Sequence, residues 1–307
     1  MVNRTILRKT ARTTFNVLAA MSLVVALGII WRLAKQTPGG FTFSSFASRE
    51  TGLSVCLSVM ATFSSLSAWL VLVGTYEINS FSSIAVSQLG KYAPGTVWPA
   101  LIQTRLGSRF GIGSSFTLIN YALFVGLHLL SGVGIVFILS DRRAMLIVQI
   151  SPFVIWLLLG FVLVMSCFFR SKVKRLIQRK IPLRKIALLS LCLASFWFFS
   201  SLSLLVLTSS TKGPSSPDHG FFQSLSAFAS SYVAGMLAFF SPGGLGVREM
   251  VLKGSLDATL GTNDVPSIVV KLRVVQATAD LTVAASGMAL LGIQRRLVSK
   301  MSGATRK

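Results

Sequence analysis

Two short segments carry most of the residue types in this chain that could do chemistry. The first runs Ser87-Gln-Leu-Gly-Lys-Tyr-Ala-Pro-Gly-Thr-Val-Trp-Pro99, with Lys91 and Tyr92 beside Pro94 and Gly95, and Trp98 three residues on. The second runs Phe239-Phe-Ser-Pro-Gly-Gly-Leu-Gly-Val-Arg-Glu249, with Pro242, Gly243, Gly244 and Gly246 ahead of Arg248 and Glu249. Both lie in apolar sequence, close to half a chain apart. Proline and glycine interrupt a helix and free backbone N–H and C=O groups. At membrane depth lipid cannot satisfy those groups, so such backbone survives only buried in protein or lining a polar cavity. Half-helix N-termini there aim partial positive charge at the occupant, which favours an anion such as a phosphate. Lys91 and Arg248 suit the same occupant. The competing reading makes each Pro-Gly a turn between spans, Lys91 and Arg248 snorkelling cations, and Tyr92 and Trp98 interface aromatics.

The remaining titratable residues offer less. Glu249 can pair with Arg248, Arg273 or Lys253, as a structural ion pair or in coupling an ion or proton. Asp280 lies two helical turns after Arg273 and is expected to balance a nearby basic residue. His128, mid-span, reads as a hydrogen-bonded packing residue. Cys56, Cys167 and Cys192 all fall in apolar stretches without CxxC spacing, and read as buried free thiols. No ligand set for a metal is visible, and no cofactor is expected. The chain has only eight acidic residues and no Asp-x-Asp, which argues against a membrane glycosyltransferase. Gly113-Ser114 with His128 is a weak match to a rhomboid-like protease. The expectation is a protein that is not an enzyme.

The elements that must position these segments are membrane helices. The chain is 52% hydrophobic and 12% charged, with a mean hydropathy of +0.72. A soluble domain carries roughly 25% charged residues, so this chain has too little polar surface to cover a soluble globule. A span needs about 20 mostly apolar residues. Windows free of Asp, Glu, Lys and Arg run between Arg12 and Arg32, Glu50 and Glu77, Arg109 and Asp141, Arg143 and Arg170, and Lys185 and Lys212, with another from His219 to Arg248. Spans are expected near 14–32, 52–75, 115–139, 144–169, 186–208 and 221–240. A seventh near 267–293 is interrupted by Lys271, Arg273 and Asp280. The fold expected is all-α: one integral membrane domain, a polytopic bundle of about seven or eight spans. Two re-entrant segments, near 78–104 and 241–266, interrupt it within a pseudo-repeat of halves at about 10–170 and 183–295.

Basic loops set the orientation. Arg4, Arg8, Lys9 and Arg12 precede the first span, which reads as a retained helix and not a cleaved signal peptide. The segment Arg170–Lys185 carries eight basic residues, and both regions read as cytoplasmic. The tail from Arg295 is basic too, yet seven spans starting inside would end outside. A short or re-entrant element between 241 and 266 is the favoured resolution. The net charge of +22 sits mostly in these loops, which suits anionic headgroups better than nucleic acid.

Lys91-Tyr92-Ala93-Pro94-Gly95-x-x-Trp98 and Pro242-Gly243-Gly244-Leu245-Gly246-Val247-Arg248-Glu249 resemble the two signature segments of the flippase-like membrane proteins, the lysylphosphatidylglycerol synthase transmembrane-region family. Arg273 sits where that family often has an arginine. The resemblance covers roughly residues 10–295. It implies a flippase or transporter-like protein of a bacterial inner membrane that handles an anionic lipid or a lipid-linked headgroup, such as aminoacyl-phosphatidylglycerol or a polyprenyl-phosphate sugar. Its substrate-binding residues would come from the two segments and Arg273. The alternative is a non-catalytic partner or regulator of a glycosyltransferase or lipid synthase. The synthases themselves carry a large soluble catalytic domain after the last span. This sequence stops about a dozen residues after its own, so at most a translocation half is expected.

Overall fold

A computed structural model describes residues 47–92, 98–109, 111–139, 182–209, 219–238, 241–260 and 264–304, with the isolated positions Gly28, Trp31 and Lys35; side chains at Arg109, Pro242 and 294–304 are not described. The spans expected near 14–32 and 144–169, Cys167 and the Pro94-Gly95 pair lie outside the described residues. Every regular element among the described residues is helical. In chain order these are α1 (Arg49–Val73), α2 (Ile78–Ser87), a 3-10 turn (Gln88–Tyr92), α3 (Trp98–Arg109), α4 (Ser114–Leu139), α5 (Leu183–Ser209), α6 (Phe221–Leu237), a second 3-10 turn (Pro242–Gly244), α7 (Val247–Leu260) and α8 (Val265–Ala304).

Among the described residues four helices are long and apolar enough to cross a membrane: α1, α4, α5 and the Val265–Ile293 part of α8. The others are short for chemical reasons. α2 gives way after 10 residues to a 3-10 turn ending at Tyr92, just before Ala93-Pro94-Gly95. α6, read from hydropathy as a span, is a helix of 17 residues that stops ahead of Pro242-Gly243-Gly244. At 1.5 Å per residue it is about 26 Å long, at the lower end of the roughly 17–25 residues that cross a hydrocarbon layer.

Apart from an α1–α8 contact that has no equal between α4 and α5, the helix contacts come in matched pairs. α1 lies along α5, and each interrupted unit packs on the distant spanning helix: α2 on α8, α6 on α4. Small residues permit both approaches. A Cβ on Gly287 of α8 would sit 2.8 Å from Ala85 Cβ in α2, and one on Gly132 of α4 would sit 2.7 Å from Val233 Cγ2 in α6. α2 also contacts α3 as α6 contacts α7, and α3 contacts α4 as α7 contacts α8. The α1–α5 seam is closed by serines: Ser203 Oγ lies 2.7 Å from Ser54 Oγ and 2.9 Å from Ser58 Oγ.

Among the described residues apolar burial is divided between two clusters. One gathers Phe196, Trp197, Leu204, Phe228, Leu256 and Ile268 around α5, α6, α7 and α8. The other gathers Leu66, Trp69, Ile84, Ala85 and Val283 around α1, α2 and α8. Large apolar side chains such as Leu53, Leu130, Phe137, Leu191 and Met288 point outward, as lipid-facing surfaces do. Cys56 is exposed on α1 and Cys192 only partly covered, so neither is the buried thiol expected from sequence. His128 is buried; Nδ1–H donates to Phe124 O at 3.0 Å, leaving Nε2 to accept from Ser65 Oγ at 3.1 Å.

Candidate functional site

The two interruptions meet. The Gln88–Tyr92 and Pro242–Gly244 turns are in contact, and a Cβ on Gly243 would lie 3.0 Å from the Lys91 carbonyl oxygen. Gly243, Gly244 and Gly246 all have positive φ, at 60°, 69° and 88°. Gly244 is the tightest: a Cβ there would sit 2.6 Å from the Cα and O of Gly235 in α6. The left-handed backbone costs an L-residue about 1–2 kcal/mol, and overpacking typically adds 1–3 kcal/mol. Gly244→Ala should therefore lower unfolding stability by about 2–5 kcal/mol in detergent. Gly254→Ala, mid-way along α7 with nothing within 4 Å of the new Cβ, should gain about 0.5–1 kcal/mol. A Gly244→Ala protein as stable as wild type would contradict the packing described.

This turn delivers the N-terminus of α7 to the protein interior. Glu249, 3% exposed, lies three residues after Gly246. Its Oε2 accepts the Gly246 N–H at 2.5 Å, capping the helix. Its Oε1 faces Arg273 Nε at 3.1 Å, a charge contact without an aligned hydrogen bond. Of the three partners open to Glu249 from sequence, Arg273 is the one used. Arg248 is its immediate neighbour, and adjacent helical residues do not face each other. Lys253 pairs with Asp257 one turn on, at 2.5 Å. Arg273 also donates from Nη2 to Gly243 O at 3.1 Å, tying α8 to the turn.

On the first interruption, Lys91 Nζ lies 2.7 Å from Asp280 Oδ2, and Tyr92 Oη donates to the same oxygen at 2.5 Å. Asp280, with a side chain 5% exposed, is the anion that anchors the 3-10 turn to α8. Arg248 is different. Its guanidinium carbon lies 4.8 Å from the Tyr232 ring centroid and 5.3 Å from that of Phe228. Among the described residues no carboxylate pairs with it and no side-chain hydrogen bond holds it.

Lys91, Arg248, Arg273, Asp280 and Gly243 line one cavity of about 80 Å³. A water needs some 10–15 Å³, so several waters or one phosphate-sized group fit. The rest of the wall is mixed: Gln88 and Gln276, the hydroxyls of Ser58, Thr62, Ser65 and Ser200, and the rings of Phe196, Phe228 and Tyr232. Not every residue singled out from sequence reaches it. Trp98 opens α3 at 37% exposure and does not line the cavity. Tyr92 acts through Asp280, Gly246 caps α7, and Gly244 packs on α6. Sequence reasoning missed Gln276, which falls between Arg273 and Asp280 on one face of α8, and gave Asp280 too small a place. Polar residues at that spacing inside an apolar helix were the available signal. The serine hydroxyls left none, because serine is abundant throughout the chain. Comparison of the chain with protein-family models and with curated proteins finds no match.

Proposed function

We propose that this chain is a membrane flippase or transporter-like protein, not an enzyme, that passes an anionic lipid or lipid-linked headgroup through the cavity between its two Pro-Gly interruptions. One observation carries the reading: segments close to half a chain apart bring Lys91, Arg248 and Arg273 to one polar cavity beside two broken helices. A structural role alone would be served as well by pairing every charge or by none.

In this reading α2–α3 and α6–α7 are re-entrant, each entering and leaving on the same side. The four described spans and the two read from hydropathy near 14–32 and 144–169 then make six. Starting inside, the chain has Arg170–Lys185 inside, 209–220 outside and the basic tail inside, which removes the parity conflict of a seven-span count. The first interruption opens from the cytoplasmic side and the second from the opposite side. The matched helix contacts support two halves of opposite orientation, with the site at their interface, as in inverted-repeat transporters.

The test is reconstitution of the full chain into vesicles containing fluorescent phosphatidylglycerol, its lysyl ester or a polyprenyl-phosphate sugar. Addition of a membrane-impermeant quencher should reach inner-leaflet probe for at least one lipid, well beyond the level in protein-free vesicles. Protein-free behaviour with all three would sink the translocation reading and favour an accessory role beside a glycosyltransferase or lipid synthase.

A further inference from the structure

The charges at the cavity do not cancel. Lys91, Arg248, Arg273 and Asp280 line it, and Glu249 stands behind Arg273. Two cations are already matched, Lys91 by Asp280 at 2.7 Å and Arg273 by Glu249 at 3.1 Å. One positive charge is left, on Arg248. Of the chain's eight acidic residues only Asp141 and Asp218 lie outside the described residues, and both fall in loops between expected spans. The aromatic faces of Phe228 and Tyr232 hold the guanidinium, but a ring supplies only part of what a desolvated cation needs. A half-buried charge inside a membrane bundle is costly without a counter-charge. The cavity is one negative charge short of neutrality.

Resting on the flippase reading above, we propose that the cavity accepts a group with a single negative charge, a phosphodiester, and discriminates against the dianionic phosphomonoester. A phosphodiester has no second proton to lose and stays a monoanion, whereas a monoester loses its second proton near pH 6. The monoanion neutralises Arg248 and accepts its N–H donors in a fork geometry suited to phosphate oxygens. A second negative charge would meet no free cation, only Asp280 on the wall, already engaged with Lys91, while Glu249 already neutralises Arg273. The hydroxyls of Ser58, Thr62, Ser65 and Ser200 on the same wall can hydrogen-bond a polar substituent on the ester.

The test uses the full chain in a neutral detergent at pH 8, titrated with dihexanoyl-phosphatidylmethanol and dihexanoyl-phosphatidic acid, which differ by one methyl group and one charge. The methyl ester should bind at least tenfold more tightly, and Arg248→Gln should abolish that difference. Dimethyl phosphate against inorganic phosphate makes the same comparison without acyl chains. Competition by dimethyl phosphate identifies a free diester as sufficient, and its failure to compete identifies the lipid as the source. Equal affinity for ester and acid, or tighter binding of the acid, would overturn the charge argument while leaving the anionic-lipid reading standing. Binding of neither lipid would overturn both.

Discussion

Arg248→Ala should abolish lipid translocation in reconstituted vesicles with little change in the protein's stability. The two halves of that result come from the same geometry. An arginine at membrane depth costs about 2.5–3.5 kcal/mol, and a desolvated cation–π contact returns about 2 kcal/mol. Arg248 has two such rings and no ion pair among the described residues. The two contacts roughly offset that cost, so removing Arg248 should change unfolding stability by no more than about 1 kcal/mol in either direction. A hydrogen bond to a charged group is worth about 1.5–3 kcal/mol, so the loss for an anionic ligand is about 10- to 150-fold. A residue kept for stability would show the opposite signature. Wild-type transport by Arg248→Ala would sink the assignment of this cavity, and an Arg248→Ala protein less stable by 2 kcal/mol or more would make Arg248 a packing residue.

Much of this was legible from residues alone. The helical class follows from the uncharged windows, and both interruptions follow from Pro-Gly pairs in apolar sequence. Hydropathy sets no end to the helix at Phe221–Leu237, because a window average records that 221–240 is apolar and not that its helix ends ahead of Pro242. It is silent on the ion pairs too. Lys91 and Asp280 are far apart in sequence, and nothing local to either says that α2 packs on α8. Glu249 shows the boundary well. The sequence narrows its partner to three cations, and helix geometry eliminates the adjacent Arg248. The choice between Lys253 and Arg273 depends on where α8 lies and on Asp257 claiming Lys253. The mixed wall of serines, glutamines and aromatic rings was invisible for a different reason: each of these residues is ordinary in a membrane helix, and only their convergence on one volume is informative.

Glu249→Ala is expected to be the most destabilising single substitution at the site, because the carboxylate holds two structures at once. Oε2 caps α7 through the Gly246 N–H, and loss of an N-terminal cap costs about 1 kcal/mol. Oε1 faces Arg273, whose side chain is 13% exposed. Removing one partner of a buried pair costs about 3–5 kcal/mol, since the other charge stays behind unpaired. The total should be about 4–6 kcal/mol in unfolding titrations. Glu249→Gln separates the two roles, since its amide oxygen can still accept from Gly246 while the charge is gone; it should be destabilised by less than Glu249→Ala. Adding Arg273→Ala to Glu249→Ala should recover part of the loss, because the orphaned cation is removed with its partner. A Glu249→Ala protein within 1 kcal/mol of wild type would show that the pair contributes little. The Arg273→Ala recovery also bears on ligand choice. With Glu249 gone, Arg273 joins Arg248 as a second uncompensated cation, so the surviving Glu249→Gln protein should lose its preference for a phosphodiester over a phosphomonoester, whereas the double variant should regain it.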